Sequence, residues 1–219
     1  MTAITRSNRN ICVPDTCSLL FSGQIELHGK EVFEWLLERY DIYIGPQVKE
    51  ECFRIIDREK VDLINAQKFK NHVSQRTISE IDHGHCLEYL TDYCDKNDVS
   101  EFSKQHPGEM ECLALSLYLN ARLSKPIVLL TDDFPAMKAF TKIIEDQKFA
   151  IQMCVPDIII SIFKTESDID ENKTRASLLT YYSIMKQAMR KEIYKRRFRE
   201  SCRNVWFQKC AALCIAQPI

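Results

Sequence analysis

Short apolar runs alternate with amphipathic stretches along this chain, and acidic residues stand where the runs end. Ile11-Cys12-Val13-Pro14 is followed by Asp15, and Ile42-Tyr43-Ile44-Gly45-Pro46 leads to Glu50 and Glu51. Pro107-Gly108 opens an apolar helical stretch at Glu109 and Glu111, and Ile127-Val128-Leu129-Leu130-Thr131 runs into Asp132 and Asp133. An unbroken apolar run such as 127–130 reads as a strand buried on both faces, the mark of a parallel sheet. Strands alternating with helical periodicity predict an α/β fold, in which ligands bind beyond the carboxyl ends of the strands. Acids gathered there repel one another unless protons or metal ions neutralise them. A hard divalent cation with oxygen ligands answers that need.

The spacing predicts strands at 11–14, 41–45, 126–131 and 149–153. Helices are predicted after residue 15, over 31–40, after Pro46, over 109–121 and over 136–145, with an apolar segment at 158–163. Residues 60–105 are more polar; they read as two or more amphipathic helices inserted beside the core, with a turn near His83-Gly84-His85. The expected architecture is a doubly wound α/β domain over residues 11–165, its central parallel sheet of about four to five strands flanked by helices. A charged linker at 166–173 and a helical C-terminal extension at 174–215 follow.

Composition narrows the function classes. With 219 residues, 45% of them hydrophobic, a packed core is within reach. The net charge of −1 gives no global field for a polyanion, so nucleic acid would need a local basic patch or bound metal. Ten cysteines in a chain of this length do not read as a disulfide framework. Cys12, Cys17, Cys52, Cys112, Cys154, Cys210 and Cys214 fall in apolar segments and read as small buried hydrophobes. No signal-peptide pattern and no membrane-length apolar run is evident, so the expected compartment is the cytoplasm, with no membrane partner.

Other chemistries fit less well. The five glycines form no phosphate-binding loop. Asp82-His83-Gly84-His85-Cys86 with Cys94 lacks the paired spacing of a zinc site. A dehalogenase-type phosphatase wants a second Asp where Cys17 stands, and a receiver domain wants a lysine at a strand end, whereas Lys125 begins one. Cys17 as a nucleophile is disfavoured because nearby acid raises a thiol pKa. Each acid taken alone also suits a helix N-terminus, where it complements the macrodipole. What distinguishes this chain is the joint placement.

Those pieces in order, VPDTCSLL, IGPQVKEEC, PGEMECLALSLYL and IVLLTDD, resemble the PIN-domain nucleases over about residues 11–165. The resemblance implies a three-layer PIN-like fold and a divalent-metal-dependent nuclease, an endoribonuclease using Mg²⁺ or Mn²⁺. It carries the catalytic acids onto Asp15, Glu51, Glu109 and Asp133, with Asp132 as a further metal ligand. Thr16, Ser18, Glu50, Glu111 and Thr131 are implied as supporting positions. Toxin-type relatives held by an antitoxin are the minimal form of that family. The insertion and the C-terminal extension depart from that form. The alternative reading is a non-catalytic PIN-like subunit for interaction or RNA binding. Residues 186–203 carry eight Lys/Arg against two Glu. Arg190, Lys191, Lys195, Arg196, Arg197 and Arg199 there are candidate nucleic-acid contacts, or a solvated basic face. The apolar stretches Val205–Phe207 and Ala211–Ile215 suggest packing on the domain or a homodimer.

Overall fold

The computed structural model describes residues 9–58, 66–75, 77–97 and 107–191. Its centre is the strand Asn10–Pro14 (β1), too apolar to face water on either side: Cys12 and Val13 are fully buried. β1 pairs in parallel with Tyr40–Ile44 (β4) on one side and with Ile127–Leu130 (β6) on the other. Ile78–Glu80 (β5) extends the sheet beyond β4, and Ala150–Met153 (β7) extends it beyond β6. The order is β5-β4-β1-β6-β7, all parallel.

Chain order and sheet order together set the layers. The chain moves outward from β1 to β4 to β5, then crosses back to β6 and on to β7. Right-handed crossovers in opposite directions place their helices on opposite faces. Thr16–Ser22 (α1), Val32–Arg39 (α2), Pro46–Arg58 (α3) and Ala66–Ser74 (α4) belong to the first direction. Cys86–Lys96 (α5), Pro107–Leu123 (α6) and Phe134–Gln147 (α7) belong to the second. Val155–Thr165 (α8) packs against α2, and Glu171–Lys191 (α9) packs against α8. The result is a three-layer α/β fold with its strand order reversing at β1 and β6. In sheets of this kind the ligand crevice lies beyond the carboxyl ends of the strands at that reversal. Among the described residues no helix is long and apolar enough to cross a membrane.

Three features differ from the sequence expectation. The stretch expected to hold only inserted helices supplies β5, whose Ile78 is buried against the sheet. Three residues in a polar region leave no alternation to detect. A small hairpin, Glu26–Leu27 (β2) and Lys30–Glu31 (β3), precedes α2. Its two turn residues, His28 and Gly29, take φ of 55° and 77°, the left-handed pair that a tight hairpin turn demands. The helix expected at 174 begins at Glu171 and docks on the domain: Leu178, Tyr181 and Met185 are buried, and Ser177 Oγ donates to Glu26 O. The rest of that extension lies outside the described residues. Cysteines 12, 52, 94, 112 and 154 are buried free thiols, but Cys17 is exposed, contrary to expectation. It occupies the solvent-facing side of α1, whose other positions Thr16, Ser18 and Leu19 face inward. Cys210 and Cys214 lie outside the described residues.

Candidate functional site

Asp15 is fixed where β1 hands over to α1. Pro14 ends the strand, and the Asp15 amide still donates to Leu130 O at 2.9 Å. Its side chain then caps α1, Oδ1 accepting from the Ser18 amide at 2.6 Å. Oδ2 accepts from the Thr131 hydroxyl at 2.5 Å, across a sequence separation of 116. Burial pushes the Asp15 carboxyl above its ordinary value; these hydrogen bonds pull it down and the Asp133 charge pushes it up. Thr131 also accepts from the Asp133 amide at 3.2 Å, so one hydroxyl ties both aspartates together. Asp133 in turn caps α7, accepting from the Ala136 amide at 3.0 Å.

Glu51 reaches the same crevice from α3. Its Oε2 accepts from Thr16 Oγ1 at 2.8 Å and its Oε1 from Gln47 Nε2, one helical turn back, at 2.9 Å. The start of α6 presses on this carboxylate: a Cβ at Gly108 would stand 3.1 Å from Glu51 Oε2. That close approach explains a glycine in the first turn of a helix, and it delivers Glu109 beside Glu51. The Glu109 carboxyl is raised to about 7, first by burial and then by the charges of Asp133, Asp15 and Glu51. Four carboxylates from α1, α3, α6 and the β6–α7 junction therefore share one field.

The neighbouring acids are used differently. Asp132 is buried and surrounded by donors: Ser18 Oγ at 2.6 Å on Oδ2, and Tyr181 OH at 2.6 Å and the Val155 amide at 3.2 Å on Oδ1. Its carboxyl is raised to about 7 by burial and then by Asp15, against the pull of those donors. Glu111, also buried, accepts from the Gln47 and Val48 amides at 3.1 Å each, capping α3 from another helix. Burial raises its carboxyl, and the two amides lower it. Gly45 leaves room for this, since a Cβ there would stand 2.2 Å from Glu111 Cδ. Glu50 points to solvent on α3. In each acidic doublet the structure thus brings one carboxylate into the crevice, Glu51, Glu109 or Asp133, and employs or exposes the other.

Ser18 and Thr131 hold the Asp15 carboxylate, and Thr16 and Gln47 hold that of Glu51. Gln47 was readable in the sequence as the residue four before Glu51. Tyr181 carried no signal, because its partner lies 49 residues away. Cys17 sits at the rim; its thiol is raised well above the ordinary value by the protein beneath it, then by Asp15, Glu109, Asp133 and Asp132. That agrees with the sequence argument against a Cys17 nucleophile. Of the six basic candidates, Arg190 and Lys191 fall in the last turn of α9, and Lys195, Arg196, Arg197 and Arg199 lie outside the described residues.

Among the described residues, no Lys or Arg pairs with Asp15 or Glu51. Among them also, no three His, Cys, Asp or Glu side chains stand gathered in the geometry of a metal site. The carboxylates are turned instead toward Thr16, Gln47, Ser18 and Thr131. The donor set is carboxylate oxygen, which matches a hard cation such as Mg²⁺ or Mn²⁺. Compared with protein-family models, curated proteins and solved structures, the chain matches none.

Proposed function

We propose that this chain is a divalent-metal-dependent nuclease acting on RNA, with Asp15, Glu51, Glu109 and Asp133 as its acidic centre. The carrying observation is the convergence of four acids from separate elements: the start of α6 presses on Glu51 at Gly108, and Glu109 there faces the charges of Asp133, Asp15 and Glu51. A group of acids kept this close without a cationic side chain on Asp15 or Glu51 is suited to a divalent ion and poorly suited to an empty polyanion site. When bound, Mg²⁺ or Mn²⁺ supplies charge neutralisation and a water acidic enough to attack a phosphodiester. The four carboxylates would hold the ion, and Thr131, Thr16, Gln47 and the Ser18 amide orient Asp15 and Glu51. RNA rather than DNA follows the resemblance of the motifs. The free cysteines among the described residues fit a reducing cytoplasm.

The test is cleavage of labelled single-stranded RNA and DNA with Mn²⁺, Mg²⁺ or EDTA, comparing the wild type with Asp15→Asn. Metal-dependent cleavage that D15N abolishes supports the reading. No cleavage by the folded protein under any metal refutes it. One observation favours a second reading, a non-catalytic PIN-like subunit. Both oxygens of Asp15 and both of Glu51 already accept hydrogen bonds from the protein.

A further inference from the structure

We propose that Tyr181, on a helix outside the 11–165 unit, is a positioning residue of the acidic centre. The inference rests on the metal-dependent reading above. Asp15 is clamped between the Ser18 amide at 2.6 Å and the Thr131 hydroxyl at 2.5 Å. Both clamps converge on Asp132. Thr131 is its chain neighbour, and Ser18 Oγ donates to its Oδ2 at 2.6 Å. Asp132 therefore sets the spacing between α1 and the end of β6, the two elements that meet around Asp15.

Asp132 is held from its far side by Tyr181. The hydroxyl donates to Oδ1 at 2.6 Å within the protein interior, where a hydrogen bond of this length is strong and directional. The ring is fixed as well: it meets Phe21 of α1 edge-on, at 6.2 Å between centroids and 87° between planes. Phe21 and Ser18 lie one helical turn apart on α1, so Tyr181 touches the helix directly through its ring and, by way of Asp132 and Ser18, through its hydroxyl. Helix α9 is anchored separately by Ser177, whose hydroxyl donates to Glu26 O at 2.6 Å, and by buried Leu178 and Met185. Removing the Tyr181 hydroxyl alone leaves those anchors and the ring contact in place. Among the described residues it leaves Oδ1 of Asp132 with the Val155 amide as its one remaining donor. The freed carboxylate then relaxes toward Val155 or Ser18, and the Ser18–Thr131 clamp loosens with it. Groups that touch a metal ligand are worth about ten- to a hundredfold in metal affinity, and Tyr181, which acts on Asp15 through Asp132 and Ser18, is expected at the low end of that range.

The experiment measures Mn²⁺ binding by calorimetry and cleavage kinetics for the wild type, D15N, Tyr181→Phe and Ser177→Ala, with thermal melts for each. Ser177→Ala perturbs the docking of the same helix without touching Asp132. The expected result is a rise of about tenfold in the Mn²⁺ dissociation constant for Y181F, with kcat falling more than KM rises, and wild-type values for S177A. Wild-type Mn²⁺ affinity in Y181F, where D15N loses binding, overturns the inference and leaves the nuclease reading intact. Equal losses in Y181F and S177A also overturn it, since they would report helix docking alone. No Mn²⁺ binding or cleavage by the wild type overturns both readings. Should Y181F melt before it can be assayed, Ser18→Ala cuts the same link at its other end and is read by the same criteria.

Discussion

Replacing Glu109 by Gln is expected to stabilise the metal-free protein at neutral and alkaline pH while abolishing cleavage. In an unfolded chain a glutamate titrates near about 4.3. In the fold Glu109 titrates near about 7, because it is partly buried and faces Asp133, Asp15 and Glu51. The folded state thus holds this proton more tightly than the unfolded state does. Stability falls as pH rises from about 4, and the loss is complete once pH exceeds about 7. The interval between the two values corresponds to roughly 4 kcal/mol, reduced to about 2 kcal/mol by solvent at the partly exposed carboxyl. Gln has nearly the shape of the protonated acid and carries no charge. In EDTA, the variant and the wild type should melt together near pH 4, provided both are folded there, and diverge above it. At pH 8 the variant should melt higher by roughly 4–8 °C for a chain of this size. Saturating Mn²⁺ should reverse the order, since it binds the folded wild type more tightly. Equal melting temperatures at pH 4 and pH 8, or a variant less stable at pH 8, would refute the reasoning about a shared acidic field.

Thr131→Val removes the hydroxyl that pulls the Asp15 carboxyl downward, so the acid limb of the pH–rate profile should move to higher pH and the half-saturating Mn²⁺ should rise about tenfold. Gly45→Ala drives a Cβ into the Glu111 carboxylate and frees the Gln47 and Val48 amides; a loss of about 1–2 kcal/mol in urea denaturation is expected, with Glu51 misplaced and activity reduced. Leu178→Ala should cost about 2–5 kcal/mol in a single cooperative transition, because this buried side chain ties α9 to the domain; an unchanged midpoint would show the helix to be an independent appendage.

The parallel strands could be read from sequence because burial on both faces leaves unbroken apolar runs, as in 127–130. The acids could be read because each follows such a run or opens a helix. The flanks of each motif favoured Glu51, Glu109 and Asp133, but what could not be read was the task of the other member of each doublet. Glu111 caps α3 through amides 63 and 64 residues away, and only the folded arrangement separates it from Glu109. Asp132 looks like a ligand in sequence and is held by Ser18 and Tyr181, at separations of 114 and 49. The extension beyond residue 165 looked separate because an amphipathic helix reveals its buried face but not the surface that receives it. β5 was hidden by its length, since three residues are too few to show a period.

The central place of β1 also dictates when during synthesis the fold can close. Its neighbours in the sheet are β4, which follows soon, and β6, which is made far later. The Asp15 carboxylate waits on Thr131, at a separation of 116 residues. A ribosome adds roughly 5–20 residues each second, so the N-terminal strand spends about 6–23 s without its second partner. Contacts of such long range also slow folding after release. A nascent chain therefore carries Asp15 well before it carries an assembled acidic centre.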